Sequence, residues 1–116
     1  MNAVGVINET RRLIEFGWCR GSDARDAVGT AVPPGDPTAT EWSLLGALGL
    51  VAAHGDVALD DLATALAALA DLIADPSLSH WNDQPGRTQA EVVATLATAH
   101  TALADGRVVV QAMSRN

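Results

Sequence analysis

Apolar residues recur at steps of three and four over most of the chain, a spacing that predicts four long helices. The first covers residues 1–16 and ends at Gly17, a residue that accepts the left-handed backbone found at helix ends. Its predicted apolar stripe is Val6, Ile7, Thr10, Leu13 and Ile14. The third helix covers residues 59–74, with a stripe of Leu59, Leu62, Leu66, Leu69 and Ile73.

The fourth long helix covers residues 88–104 and ends at Asp105-Gly106. Its apolar stripe is Val92, Leu96, Ala99 and Leu103. Thr88 and Glu91 have the T-x-x-E spacing of a capping box, which satisfies two amides at a helix start. These two residues therefore have a predicted structural role.

The second helix is predicted to begin at Asp36-Pro37, because Asp can cap a helix and Pro is tolerated in its first turn. Its residues 42–53, WSLLGALGLVAA, are apolar on nearly every face. Such a helix is typically surrounded by others, and Gly46 and Gly49 permit close approach of neighbouring backbones. We therefore expect an all-α fold, a compact bundle of about four helices around this central one.

Two long polar loops, residues 18–35 and 77–87, interrupt the helical pattern. The first either forms a short hairpin that turns near residues 26–29 or is a functional loop. Residues 1–106 are expected to form one domain, followed by a tail at 107–116. The tail could be a short strand, further helix or an arm laid on a partner, and its apolar residues 108–110 should be covered.

The chain has a net charge of −7, with 14 acidic residues, 7 arginines and no lysine. This balance argues against binding nucleic acid or an anionic membrane surface, and it also keeps an alanine-rich protein soluble. Cys19 is the single cysteine, and no apolar run approaches the length of a membrane span. A cytoplasmic location is the expectation.

The sharpest candidate site is Trp81-Asn82-Asp83 with Arg87, just before the fourth helix. An indole face binds planar or cationic groups, and a guanidinium fits a carboxylate or phosphate. Asp83 could act as a general base or hold the arginine. The structural alternative is a turn formed by Asn82 and Asp83, an arginine paired with a nearby acid, and a tryptophan that fills the core.

A second cluster, Trp18, Arg25 and Asp26, lies in the first loop. If both loops lie at one end of the bundle, their tryptophans, arginines and carboxylates would line a single pocket. The alternative is a solvated loop with local Arg–Asp pairs that contribute little.

Metal, cofactor and nucleophile motifs are weak in this sequence. His54, His80, His100 and Cys19 lack the short spacings of metal ligands. Cys19 is expected to be a packed, inert thiol. Ser43 lacks the flanking glycines of a nucleophile elbow, and there is no glycine-rich phosphate loop. We therefore expect no metal and no cofactor.

Three segments together resemble a family of small uncharacterised helical proteins from bacteria and phages. They are GWCRGSDARDAVG at 17–29, WSLLGA at 42–47 and WNDQPGRTQAEV at 81–92. The resemblance implies a compact helical protein and carries no established activity. The family frequently has cysteine after its second tryptophan, where this chain has Ser43, which disfavours thiol chemistry at that position.

These observations favour a small binding or accessory protein. Its ligand would be a small anionic or peptide-like molecule held by Trp18, Arg25, Trp81, Asn82 and Arg87. One alternative is an acid–base tailoring enzyme, for example a cyclising one, that uses Asp83 and Asp26. Another is a protein–protein adaptor or a homodimer formed through the tail.

Overall fold

A computed structural model describes residues 1–106 of the chain. In order, the elements are α1 (Ala3–Phe16), β1 (Ala24–Asp26), β2 (Ala39–Trp42), α2 (Leu44–His54), α3 (Leu59–Leu72), α4 (Leu78–Asn82) and α5 (Gln89–Ala104). The fold is therefore mostly helical with a small two-stranded sheet, and the expectation of an all-α protein is wrong in that respect. The predicted tail, residues 107–116, lies outside the described residues.

Helix α1 is the central element of the described domain. Asn2 caps it by accepting a hydrogen bond from the Gly5 amide, and Ile7 and Ile14 on its predicted stripe are fully buried. It packs against α2, α3 and α5. The prediction that residues 42–53 form the surrounded helix is wrong, because α2 leaves Leu45 44% exposed on its outer face.

The second helix begins eight residues later than predicted, at Leu44. Asp36 does not cap a helix. Its Oδ1 accepts from the Thr38 amide and hydroxyl in a local turn, and these bonds lower the pKa of the carboxyl below its usual value. The chain then extends as β2, and Ser43 caps α2 by accepting from the Gly46 amide.

The first loop contains the predicted turn but pairs with an unexpected partner. Asp26 Oδ1 accepts from the amides of Val28 and Thr30, and an isolated bridge links Arg25 to Ala31. Strand β1, however, pairs antiparallel with β2, with Ala24 opposite Trp42. The loop is thus joined to the residues that precede α2.

Two glycines are required by close backbone contacts. Gly17 ends α1 with φ −169°, an extended conformation, so the predicted left-handed backbone is wrong there. A Cβ on Gly17 would lie 2.0 Å from the Thr40 carbonyl oxygen, and one on Gly46 would lie 2.0 Å from that of Asp23. Both positions therefore admit only glycine without movement of the backbone, as expected for Gly46.

Helix α3 packs only partly through its predicted stripe. Its fully covered residues are Ala65, Ala68 and Leu69, whereas Leu59 is 83% and Leu66 37% exposed. Of the predicted stripe, Leu69 and Ile73 are buried and Leu62 packs against the core, so the stripe describes the packed face only in part. The small alanine side chains let α3 approach α1 and α5, with which it packs.

Helix α5 matches its prediction closely. The Thr88 side chain accepts from the Glu91 amide while the Glu91 side chain accepts from the Thr88 amide, so the capping box is confirmed. The predicted stripe Val92, Leu96, Ala99 and Leu103 is buried. Between α3 and α5, the loop predicted at 77–87 contains the short helix α4.

Candidate functional site

Asn82 is the junction between the two long loops and α2. It is completely buried, although it is polar. Its Oδ1 accepts from the Trp18 indole N–H at 2.8 Å and from the Leu44 amide at 3.1 Å. Its Nδ2 donates to the Cys19 carbonyl at 3.1 Å and to Asp83 Oδ1 at 3.0 Å. The side-chain amide therefore uses its full hydrogen-bonding capacity inside the protein.

Two further hydrogen bonds hold the loops together. Asp83 Oδ1 accepts from the Gly21 amide at 3.0 Å, and Arg20 Nη1 donates to the Gln84 carbonyl at 3.1 Å. The first and second loops thus meet at one end of the helices, as the binding-site hypothesis requires.

Arg25 and Asp26 support the first loop itself. The Arg25 guanidinium donates to the carbonyls of Gly29 and Arg20, while Asp26 forms the turn described above. Neither of these residues nor Trp18 lines the cavity beside Trp81 and Arg87. The loops meet, but the single pocket with two tryptophans and two arginines does not form there.

An open cavity of about 510 Å³ lies between the end of α3, the second loop and the start of α5, and we call it the Arg87 cavity. Its lining residues are Leu72, Ala74, Asp75, Trp81, Gln84, Pro85, Gly86, Arg87 and Glu91. Its volume falls within the range of about 300–1,000 Å³ that is typical of small-ligand sites.

The Arg87 side chain is held against the indole of Trp81. Its Cζ lies 4.0 Å from the ring centroid, and its Nε donates to the Trp81 carbonyl at 2.9 Å. Its Nη1 lies 3.4 Å from Glu91 Oε2, so the arginine also has the nearby acid that the structural alternative anticipates. The guanidinium is therefore fixed in orientation at the cavity wall.

Asp75 and His80 form a pair that sequence reasoning missed. Asp75 Oδ1 accepts from the Ser77 amide, and its Oδ2 contacts His80 Nδ1. Both bonds hold the pKa of the Asp75 carboxyl below its usual value, and the hydrogen bond from the Ser77 amide has the larger effect. The Asp-Pro-Ser sequence is typical of a turn in which the Asp side chain accepts a hydrogen bond from the amide two residues later. It could therefore have predicted the contact between Asp75 and the Ser77 amide.

A smaller polar cavity of about 200 Å³ lies between the loops. Its lining residues are Gly21, Ser22, Asp23, Ser43, Ser79 and Asp83. Ser43 therefore both caps α2 through its hydroxyl and lines this cavity. Among residues 1–106, no group of three or more His, Cys, Asp or Glu side chains is placed to hold a metal ion.

Cys19 is buried, as predicted, beside the Asn82 junction. Burial, followed by the nearby Glu41 carboxylate, raises the pKa of its thiol to about 11. The thiol therefore stays protonated at neutral pH, which makes it a poor nucleophile.

The fold and these contacts define a small, mostly helical domain in which two long loops are locked together beside an open, charged cavity. The chain belongs to the family of unknown function DUF6197, whose family model matches residues 2–102. No curated protein matches the chain, and no solved structure matches it. Within the described residues, none of the helices has the length and apolar character needed to cross a membrane.

Proposed function

We propose that the protein binds a small molecule in the Arg87 cavity and acts as a binding or accessory protein. The observation that carries this proposal is the Arg87 guanidinium, fixed over the Trp81 ring at 4.0 Å in the wall of a cavity of ligand size. A preoriented guanidinium and an aromatic edge suit a ligand with a carboxylate or another planar polar group.

The proposal changes the roles of the residues predicted to bind ligand. Trp81 and Arg87 would contact the ligand directly. Trp18 and Asn82 would instead hold the two loops in place, since they are joined by an internal hydrogen bond. Arg25 would stabilise the first loop through its bonds to backbone carbonyls.

The cavity can be tested by filling it. Ala74 is exposed and lines the cavity, so Ala74→Phe obstructs it without removing a hydrogen-bonding side chain. Ala70→Phe is the matched control, because Ala70 is also exposed but does not line the cavity. Intrinsic tryptophan fluorescence would be titrated with acetate, benzoate, phosphate and glycylphenylalanine.

The proposal predicts a saturable fluorescence change with at least one carboxylate probe. It predicts that the change is lost in Ala74→Phe and retained in Ala70→Phe. Retention of the same affinity in both variants, or the absence of any response across the panel, would count against a ligand site in this cavity.

A homodimer is the second candidate, because part of α3 is apolar and exposed. Leu59 is 83% exposed and Leu66 lies seven residues, two helical turns, further on, with exposed Ala63 between them. Small residues between leucines permit close approach of a second copy of this helix. Light scattering should give a dimer mass that falls to the monomer mass in Leu59→Glu/Leu66→Glu; a monomer before substitution contradicts this candidate.

The acid–base alternative has less support. Asp83 and Asp26 both accept hydrogen bonds from backbone amides within the loops, which gives each carboxylate a structural role. A cytoplasmic location and an origin in bacteria or phages remain proposals from the sequence.

A further inference from the structure

The charges of the Arg87 cavity do not suit a simple anion. Its lining contains one guanidinium, Arg87, and two carboxylates, Asp75 and Glu91, giving a formal charge of −1. Glu91 Oε2 already lies 3.4 Å from Arg87 Nη1. A ligand with negative charge alone would therefore gain attraction from one group and meet repulsion from two.

Asp75 is the carboxylate best placed to receive a positive group. Its side chain is only 13% exposed, and the Ser77 amide and His80 imidazole hold it in position. Glu91 also has partners, in the α5 capping box and in Arg87, but its side chain is 51% exposed. A partly covered, oriented carboxylate binds an ammonium group more strongly than an exposed one does.

The negative and the positive side chain of the cavity lie at opposite ends of the segment that connects α3 to α5. Asp75 follows α3, Arg87 precedes α5, and both line the same cavity, with Trp81 between them in sequence. This arrangement offers a negative subsite, a positive subsite and an aromatic surface to one small ligand.

We propose that the ligand is zwitterionic, an amino acid or short peptide with a free ammonium group. Asp75 accepts hydrogen bonds from the ammonium, Arg87 donates to the carboxylate, and Trp81 contacts the part of the ligand between or beside them. This inference rests on the proposed function, and it names the ligand class and adds Asp75 as a specificity-determining residue.

The test compares three probes that differ at one end. Glycylphenylalanine has both charges, its N-acetyl derivative lacks the ammonium, and its C-terminal amide lacks the carboxylate. Binding to the unmodified protein would be measured by titration calorimetry together with the fluorescence change. We expect acetylation and amidation each to weaken binding about tenfold or more, the loss of one charge-assisted contact.

Asp75→Asn provides the matching change in the protein. The asparagine keeps an oxygen that can accept from the Ser77 amide, so the turn is retained. We expect this variant to bind glycylphenylalanine about as weakly as the N-acetyl peptide, and to show little further loss when both changes are combined. Asp71→Asn is the control, because Asp71 is exposed on α3 and does not line the cavity.

The outcomes separate this inference from the proposed function. If the N-acetyl peptide binds within about threefold of the free peptide, the ammonium subsite is overturned while a ligand site in the cavity stands. If no peptide binds but benzoate or phosphate does, the zwitterionic class is overturned and the cavity function again stands. If none of the probes binds, both proposals fail.

Discussion

Removal of the Asn82 side-chain amide should destabilise the whole protein, although the residue lies at the end of the short helix α4. Asn82→Ala deletes the hydrogen bonds to Trp18, Leu44, Cys19 and Asp83 in one step. These partners belong to the first loop, the start of α2 and the second loop. The substitution therefore tests whether the junction holds the site together.

The size of the effect follows from the groups left without partners. The Leu44 amide and the Cys19 carbonyl lie in buried residues, and an unsatisfied buried group costs about 1–3 kcal/mol. Trp18 is only partly buried, so its indole N–H can regain a hydrogen bond to water. With two such groups, we expect the free energy of unfolding to fall by about 2–6 kcal/mol, a large part of the ~5–15 kcal/mol typical of a domain.

Urea unfolding followed by circular dichroism and tryptophan fluorescence would measure this change. Asn8→Ala is the matched control, because the Asn8 side chain accepts one hydrogen bond, from Arg11, on α1. It should cost less than about 1 kcal/mol. Asn82→Asp should be at least as harmful as Asn82→Ala, since its carboxylate would face the Cys19 carbonyl and Asp83 without a proton to donate. If Asn82→Ala lowers the free energy of unfolding by less than about 1 kcal/mol, Asn82 does not hold the two loops and α2 together as argued.

Three other predictions concern packing, the thiol and acid stability. Gly46→Ala should lower the free energy of unfolding by about 2–3 kcal/mol in urea, because its Cβ would meet a backbone carbonyl at 2.0 Å, whereas Gly49→Ala has open space and should raise it by about 0.5–1 kcal/mol. Cys19, with a pKa of about 11, should be only ~0.1% thiolate at about pH 8, so a thiol reagent should label it rapidly only after unfolding. Asp75 stabilises the fold above pH 3.8, its pKa in the unfolded chain, because its pKa is lower in the folded protein. This stabilisation is lost as pH falls through the folded-state pKa, so acid titration of Asp75→Asn should show a shallower loss of stability than that of the unmodified protein.

The helices could be predicted from the sequence because their signals are local. The α5 capping box and its buried stripe depend on residues three and four apart, a spacing that can be read directly. Strand β2 could not be predicted in the same way. It has four residues, follows an Asp-Pro that resembles a helix start, and exists through pairing with β1, fifteen residues earlier in the chain.

The orientation of α3 also depends on tertiary packing. Leucine is more apolar than alanine, so hydrophobicity alone predicts that Leu59 and Leu66 face the core. The structure buries Leu69 of the predicted stripe but leaves Leu59 and Leu66 exposed, and it also buries Ala65 and Ala68, whose small side chains allow close helix packing. Periodicity identified the helix correctly, but the choice of face required knowledge of its neighbours.

The candidate site could be predicted only in part, because its cavity also forms through tertiary packing. Sequence reasoning located Trp81 and Arg87, because an indole and a guanidinium in a polar loop are conspicuous. It could not distinguish these cavity-lining residues from Arg25, whose guanidinium N–H groups donate to backbone carbonyls of the first loop. Asp75 was overlooked because its association with the cavity arises only when α3 ends beside the start of α5.

The most direct test of the Arg87 cavity uses the three indole N–H signals in a nitrogen-15 NMR titration with the same probe panel. The Trp18 indole donates to Asn82 and that of Trp42 to the Pro34 carbonyl, so both serve as internal references. A ligand in the cavity should shift the Trp81 signal saturably while the other two change little. An unchanged Trp81 signal across the panel, or equal shifts of all three, would contradict ligand binding at this site.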